Sequence, residues 1–203
     1  TETADALVGF GHRRLSILDL SSGGHQPMSF AHLKIIFNGE IYNFMEVRKE
    51  LEQHGYTFHS SSDTEVILKG FHCWGIEVID KCIGMFAVAL FDEQKEEMLL
   101  IRDRTGIKPL YYYWDNRLML FSSELKSMHQ HPDFKKNIDV NSLSLFLQYS
   151  YIPSPYTIFE NTHKLEPGHY LKLSLKTRMF QTHKYWDVLD YYNQPKLQFS
   201  EEE

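Results

Sequence analysis

The segment from Met85 to Ser123 constrains the fold most strongly, because its apolar residues recur with a period of two. Apolar runs at 86–91, 98–101, 111–114 and 118–121 are separated by polar or turn-forming residues. This alternation of runs and turns predicts an antiparallel meander. Because the runs are almost continuously apolar, both faces of the predicted strands should be covered by another sheet or by helices.

Helical periodicity occurs in three other parts of the chain. One helix is predicted after Asn43, ending at Gly55, and a second is predicted after the turn at 60–64. Residues 56–59, between these helices, are predicted to form a short strand. A third helix is predicted over Asp139–Tyr149. Its buried stripe is predicted to consist of Leu143, Phe146 and Leu147.

Both ends of the chain carry further β patterns. A strand is predicted from Leu7 towards Leu18, and residues 169–175 and 179–186 predict a hairpin. From about Asp190 the composition is typical of a linker or the start of a helix. At 203 residues, the pattern as a whole indicates one domain with a short tail.

Charge and hydropathy narrow the class of partner. The net charge of −6, with 21 basic and 27 acidic residues and no basic cluster, argues against a nucleic acid. No apolar run reaches the length of a membrane span, and no signal-peptide pattern is visible at the amino terminus. We therefore predict a soluble protein, with no membrane association, whose partners are small molecules or proteins.

The cysteines and histidines are the candidates for a disulfide, a nucleophile or a metal site. Cys73 and Cys82 lie in apolar stretches that look helical, so we expect buried thiols in a reducing, cytoplasmic protein. A nucleophilic role for either cysteine is the less favoured alternative. No His-x-x-x-His or Cys-x-x-Cys spacing occurs, so no metal is predicted in this chain.

The stretch Lys34–Asn43 predicts a strand, a sharp turn at Asn38 and Gly39, and the start of a helix. A turn held between two rigid elements can present one backbone N–H and one side-chain amide at fixed positions, as stabilisation of an oxyanion requires. Asn38 and Gly39 are therefore candidates for that role. An ordinary hairpin turn explains the same pair, and on these residues alone it is the more frequent case.

Three charged features have both a functional and a structural interpretation. Arg14 shares one face of its predicted strand with His12. It would either grip a carboxylate with two hydrogen bonds or lie in solvent at a sheet edge. Asp63 is expected to cap the second helix. The loop at 102–109, which is rich in charge and contains Gly and Pro, is predicted to be a salt-bridged turn.

Four separated stretches together resemble the class II glutamine amidotransferase domain of glutamine-hydrolysing asparagine synthetases. They are Gly11–Ile17, Phe37–Asn43, Ser62–Ile67 and Arg102–Tyr111. Glucosamine-phosphate synthase and phosphoribosyl-pyrophosphate amidotransferase share the Asn-Gly pair, but Asn-Gly-Glu-Ile-Tyr-Asn points to the asparagine synthetase branch. The resemblance extends over essentially the whole chain, ending near Trp186.

The resemblance implies an α+β fold of the N-terminal nucleophile (Ntn) hydrolase type, a four-layer αββα sandwich of two antiparallel sheets. It implies an amidotransferase domain at residues 1–187 that lacks its N-terminal strand and its nucleophile. Residues 188–203 would be a linker towards an absent synthetase domain.

The resemblance also assigns roles to five residues. Asn38, through its side-chain amide, and Gly39, through its backbone N–H, would form the oxyanion hole. Arg14 would bind the α-carboxylate of glutamine, Asp63 would bind the α-ammonium group, and Glu40 would line the same pocket. These assignments favour the functional interpretation at each position.

The implied chemistry is attack on the side-chain amide of glutamine by the thiolate of an N-terminal cysteine, giving a thioester that hydrolyses to glutamate. The released ammonia would pass to an aspartyl-adenylate made from ATP and Mg²⁺ in the synthetase domain, so no cofactor is expected in this chain. The expected partners are glutamine and a synthetase domain of the same polypeptide. The oligomeric state stays open, with a homodimer among the alternatives.

The first residue departs from the family pattern, because it is Thr1 rather than a cysteine. By family spacing, Thr1 falls on the approach to a later strand and not at the catalytic position. We therefore expect the 203 residues alone not to hydrolyse glutamine. The alternative is a non-catalytic module, either like the amidotransferase domain of β-lactam synthetase, which has lost its cysteine, or a scaffold that packs against a synthetase.

Overall fold

The computed structural model describes residues 6–13 and 24–195, and within these ranges the chain forms strands and helices in an α+β arrangement. The strands are β1 (Met28–Phe30), β2 (Leu33–Ile41), β3 (Gly84–Asp92), β4 (Glu97–Arg102), β5 (Tyr111–Trp114), β6 (Met119–Ser122), β7 (Thr162–Lys164), β8 (His169–Ser174) and β9 (Met179–Lys184). The helices are α1 (Phe44–Gln53), α2 (Asp63–Trp74), α3 (Val78–Lys81), α4 (Leu125–Met128), α5 (Val140–Tyr149) and α6 (Val188–Tyr192).

The strands form two antiparallel sheets, as predicted. One sheet has six strands in the order β1-β2-β3-β4-β8-β9, and the other has three in the order β6-β5-β7. The predicted meander is wrong at one point, because β4 pairs with β8 and β5 begins the second sheet. Apolar periodicity reports strand conformation, whereas the choice of neighbour is made by residues far away in the chain.

Strand β3 is buried on both faces, which explains its continuous apolar sequence. Phe86, Val88 and Leu90 pack with Ile67 and Phe71 of α2 in one core cluster. The alternate residues of β3 belong to a second cluster between the two sheets, with β4, β8 and β5. Those residues are Ala87, Ala89 and Phe91. The six-stranded sheet therefore lies between helices on one side and the smaller sheet on the other.

The fourth layer covers the outer face of the three-stranded sheet. Tyr113 of β5 is fully buried there against Met128 of α4 and Phe134. The opposite face of β5 contributes Tyr112 to the cluster between the sheets. The order of layers is thus helix, sheet, sheet, helix, in agreement with the predicted αββα sandwich.

Residues 56–59 do not form the predicted strand. Side chains of α2 bind their backbone groups instead of a neighbouring strand. The Glu65 carboxylate accepts hydrogen bonds from the N–H groups of His59 (3.0 Å) and Ser60 (2.7 Å), and the Lys69 ammonium donates to the carbonyl of Thr57. Glu65 and Lys69 also form a buried ion pair at 2.6 Å.

Helix α5 forms where it is predicted, but the prediction of a buried stripe is wrong. Leu147 is 76% exposed, Phe146 is 47% exposed and Leu143 is 36% exposed. Periodicity shows that a helix has an apolar face, yet it does not show that another element covers this face. Ser142 is the residue of α5 that is buried.

The charged loop after β4 is not the predicted salt-bridged turn, because its charges bind backbone groups. Asp103 is fully buried, and its carboxylate accepts hydrogen bonds from the N–H groups of Phe86 (3.2 Å), Ile107 (2.9 Å) and Lys108 (2.9 Å). Arg102 donates to three carbonyl groups of the loop and of the segment beyond it, namely those of Gly106, Lys108 and Leu165. The loop carries the chain from β4 of the larger sheet to β5 of the smaller one.

Two further predictions concern the ends of the chain. Residues 8–13 are not in a strand, Leu7 makes one isolated bridge, and the rest of the strand predicted over 7–18 lies outside the described residues. The predicted hairpin near the other end is confirmed as β8 and β9. In the described part of the chain, no helix combines the length and the apolar character needed to cross a bilayer.

Candidate active site

A cavity of about 820 Å³ is lined by residues of both sheets and of α2. Strand β2 contributes Asn38, Gly39 and Glu40 to its wall, and the start of α2 contributes Asp63. Four of the five site residues named in the sequence analysis thus lie on the wall of one cavity. Arg14, the fifth, lies outside the described residues, but Arg13 beside it lines the same cavity.

Asn38 and Gly39 do not form the predicted turn. They lie within β2, where Asn38 is opposite Ala87 and Gly39 is opposite Phe86 of β3. Gly39 is required by this pairing, because a Cβ atom there would lie 2.2 Å from the Met85 carbonyl oxygen and 2.7 Å from the Phe86 Cα. The glycine thus permits close approach of two strands rather than a change of chain direction.

The direction of the Gly39 N–H follows from its neighbours in the strand. The N–H of Phe37 donates to Gln26 Oε1 at 2.6 Å, and the N–H of Ile41 donates to Asp63 Oδ2 at 3.1 Å. Both groups therefore point to the edge of β2 that faces away from β3. Because alternate N–H groups of a strand point to the same edge, the Gly39 N–H points there too, between Gln26 and Asp63.

Asp63 is the first residue of α2 rather than its cap. Ser62 is the N-cap, and its hydroxyl accepts from the N–H of Thr64 at 3.2 Å. The predicted capping role of Asp63 is therefore wrong, and its side chain is directed at β2 instead. Desolvation by burial raises the Asp63 pKa above its ordinary value, and the nearby Glu40 carboxylate adds to the rise.

Gln26 and Ser123 line the cavity and were missed from the sequence. Besides its bond to Phe37, Gln26 donates through Nε2 to the Thr64 hydroxyl at 3.2 Å. Ser123 Oγ accepts a hydrogen bond from Asn38 Nδ2 at 3.1 Å. Both contacts join residues that are far apart in the chain, and no local pattern around either residue could have revealed them.

The two cysteines lie outside the cavity wall. Burial raises the pKa of the Cys82 thiol to about 12, so this group is not a thiolate at neutral pH. Cys73 is half-buried and packs beside Val47, Leu51 and Val66 of the α1–α2 cluster. The expectation that these cysteines act as small apolar residues agrees with this packing, most clearly for Cys82.

The part of the chain that the structure describes offers no candidate set of metal ligands. There, His, Cys, Asp and Glu side chains form no group of three or more that could hold an ion. What the geometry does offer is a carboxylate at Asp63, a side-chain amide at Asn38 and a backbone N–H at Gly39. This set can bind a cationic group at one point and a carbonyl oxygen at another.

Comparisons with known proteins agree with this geometry. The putative glutamine-hydrolysing asparagine synthetase 2 of Methanocaldococcus jannaschii is 38% identical over 211 residues, which cover 94% of this chain and 40% of that protein. The glutamine-hydrolysing asparagine synthetase 1 of Bacillus subtilis is 44% identical over 167 residues, covering 81% of this chain and 26% of that protein. The chain thus spans less than half the length of these relatives.

Solved structures confirm the predicted Ntn fold. A glutamine phosphoribosylpyrophosphate amidotransferase from B. subtilis, complexed with ADP and GMP, superposes with a TM-score of 0.61 over 86% of this chain and 34% of its own. The identity is 19%, so this likeness concerns the fold alone. Residues 2–186 match the family described as glutamine amidotransferase domain, and the chain therefore belongs to that family.

Proposed function

We propose that this chain binds glutamine in the cavity and is the glutaminase part of an asparagine synthetase. The observation that carries the proposal is the convergence of Asn38, Gly39, Glu40 and Asp63 on one cavity. The Asp63 carboxylate would bind the α-ammonium group of glutamine. Arg14, by the resemblance to asparagine synthetases, would bind the α-carboxylate, and Glu40 would line the pocket beside Asp63.

The oxyanion contacts would come from β2. When a nucleophile adds to the amide carbon of glutamine, negative charge develops on the carbonyl oxygen. The Asn38 side-chain N–H and the Gly39 backbone N–H would donate hydrogen bonds to this oxygen. The described pairing of β2 with β3 holds the backbone of both residues before substrate arrives, so the Gly39 N–H needs little reorganisation during the reaction.

The nucleophile would be the N-terminal cysteine that the resemblance implies, since Cys82 is buried and protonated at neutral pH. Loss of ammonia from the tetrahedral intermediate would leave a thioester, and water would release glutamate from it. The proposed acceptor of the ammonia is aspartate, activated with ATP and Mg²⁺ in a synthetase domain. The similarity to proteins named asparagine synthetases supports this acceptor.

The proposed role of Asn38 is tested by Asn38→Ala in the natural protein that carries this chain. We expect turnover of glutamine to fall about 10²-fold or more, because one donor to the oxyanion is lost. Steady-state formation of glutamate from glutamine measures this effect. The Michaelis constant for glutamine should change much less, because Asp63 and Arg14 would hold the α-substituents.

Two controls make this test specific. Asn141→Ala changes an exposed asparagine on α5 and should leave turnover unchanged. Asparagine synthesis from free ammonia should also survive Asn38→Ala, because added ammonia bypasses the glutamine site. Normal glutamine turnover in the Asn38→Ala protein would remove Asn38 from the oxyanion hole.

A further inference from the structure

We propose that Ser123 is a positioning residue that fixes the orientation of the Asn38 side-chain amide. The inference rests on the proposed function, in which Asn38 donates to the oxyanion. Its basis is the hydrogen bond of 3.1 Å from Asn38 Nδ2 to Ser123 Oγ. Both residues are half-buried, and both line the same cavity.

This hydrogen bond joins the two sheets across the cavity. Asn38 lies in β2 of the six-stranded sheet, and Ser123 directly follows β6, an edge strand of the three-stranded sheet. The residues are 85 positions apart, so the contact depends on how the sheets are stacked. The orientation of the Asn38 amide is therefore set by a contact with the other sheet as well as by its own strand.

The neighbouring Ser122 makes a different contact, although it also lines the cavity. Its hydroxyl donates to the carbonyl of Glu124 at 2.7 Å and so stays within the turn that leads to α4. The two adjacent serines therefore make different contacts. Ser122 orders the local turn, whereas Ser123 reaches Asn38 in the other sheet.

An oriented amide matters because the two ends of the group have opposite polarity. The torsion that rotates an asparagine amide is broad and roughly two-fold, so an unrestrained amide can exchange its oxygen and nitrogen positions. Oδ1 facing a developing oxyanion would repel it, whereas Nδ2 would donate to it. Nδ2 carries two N–H groups, and Ser123 accepts one of them while the other stays available to the carbonyl oxygen of glutamine.

The inference predicts a specific kinetic signature for Ser123→Ala. Turnover of glutamine should fall about tenfold, because the amide spends part of its time in the wrong orientation. The Michaelis constant should stay within about twofold, because a misoriented amide weakens binding of the transition state more than binding of substrate. Ser123→Thr keeps the hydroxyl and should retain turnover near that of the parent.

The decisive measurement is a double-mutant cycle in the natural protein that carries this chain, with glutamate formation as the readout. In an Asn38→Ala background, Ser123→Ala should cause no further loss, because the group that it positions is gone. Ser144→Ala, an exposed serine on α5, is the matched control and should leave turnover unchanged in both backgrounds. Circular dichroism of every variant separates slow turnover from misfolding. Ser123→Cys is a conservative replacement whose sulfur is a weak acceptor, and it should give an intermediate rate.

Each outcome has one interpretation. Normal turnover in Ser123→Ala, or losses that add in the double mutant, would overturn the positioning role. A raised Michaelis constant with unchanged turnover would make Ser123 a direct contact of the substrate and would also overturn it. If Asn38→Ala itself turns over normally, the proposed role of Asn38 fails, and the inference fails with it. If Asn38→Ala is slow and Ser123→Ala is normal, only the inference fails.

Discussion

Asp63 shows how a single residue can trade stability for binding. The residue is 5% exposed, and its carboxylate accepts a hydrogen bond from the Ile41 N–H, yet burial raises its pKa above the ordinary value. A raised pKa means that the fold disfavours the charged form of this carboxyl group. A bound ammonium group would offset that cost, as proposed for glutamine.

Asp63→Asn should therefore stabilise the protein at pH 7 and weaken its binding of glutamine. The free-energy cost of the ionised carboxylate is absent below the pKa of 3.8 that applies to the unfolded chain, and it is complete above the raised pKa of the folded protein. The gain in melting temperature should thus be present at pH 7 and should shrink as the pH falls through that interval. Loss of the charged partner should raise the Michaelis constant for glutamine about 10²-fold.

Thermal melts between pH 4 and 7, together with glutaminase kinetics, check both effects of Asp63→Asn. In the parent protein the Michaelis constant should rise as the pH falls through the raised pKa of Asp63, because the neutral acid cannot pair with an ammonium group. An Asp63→Asn variant that melts lower than the parent at pH 7, or that keeps the parent's Michaelis constant, would contradict the assignment.

At the scale of elements, local patterns predict conformation better than environment. Helix α1 and strand β5 form where the sequence places them, because each is specified by a few neighbouring residues. The strand predicted at 56–59 is absent because Glu65 and Lys69, supplied by α2, bind that segment. In the same way, the turn predicted at Asn38–Gly39 is replaced by a strand because β3 pairs with it.

Helices α1 and α5 offer a direct test of how apolar stripes differ in stability. Leu51 of α1 is fully buried, whereas Leu147 of α5 is 76% exposed. Leu51→Ala should lower the free energy of unfolding by about 3 kcal/mol, through lost burial and a new cavity. Leu147→Ala should change it by less than about 0.5 kcal/mol. Urea denaturation of both variants measures the difference, and equal losses would mean that α5 is covered in solution.

At the scale of the whole molecule, the candidate site depends on the stacking of two sheets. Asn38, Gly39 and Glu40 come from one sheet, and Ser123 follows a strand of the other. The resemblance locates the first three because they are adjacent in one motif. Gln26 and Ser123 escape prediction because their roles arise only when distant elements meet.

Asp103 lies in the loop that connects the larger sheet to the smaller one, and its removal should lower the stability of the whole molecule. Asp103→Ala leaves the buried N–H of Phe86 and the partly buried N–H groups of Ile107 and Lys108 without their acceptor. We expect a loss of about 3 kcal/mol or more in the free energy of unfolding, measured by urea denaturation. Asp103→Asn, which keeps one acceptor oxygen, should lose less. A loss below about 1 kcal/mol for the alanine variant would show that these groups find other partners.

The close contact at Gly39 determines which kind of chemistry can examine its N–H. Every encoded replacement adds at least a Cβ atom, and that atom would meet β3 at 2.2 Å. Selection for activity from a library of variants would therefore recover only glycine at position 39, because of packing alone and whatever the role of its N–H. Semisynthesis avoids this difficulty, since glycolic acid at position 39 exchanges the amide for an ester, deletes the hydrogen-bond donor and adds no atom to the strand.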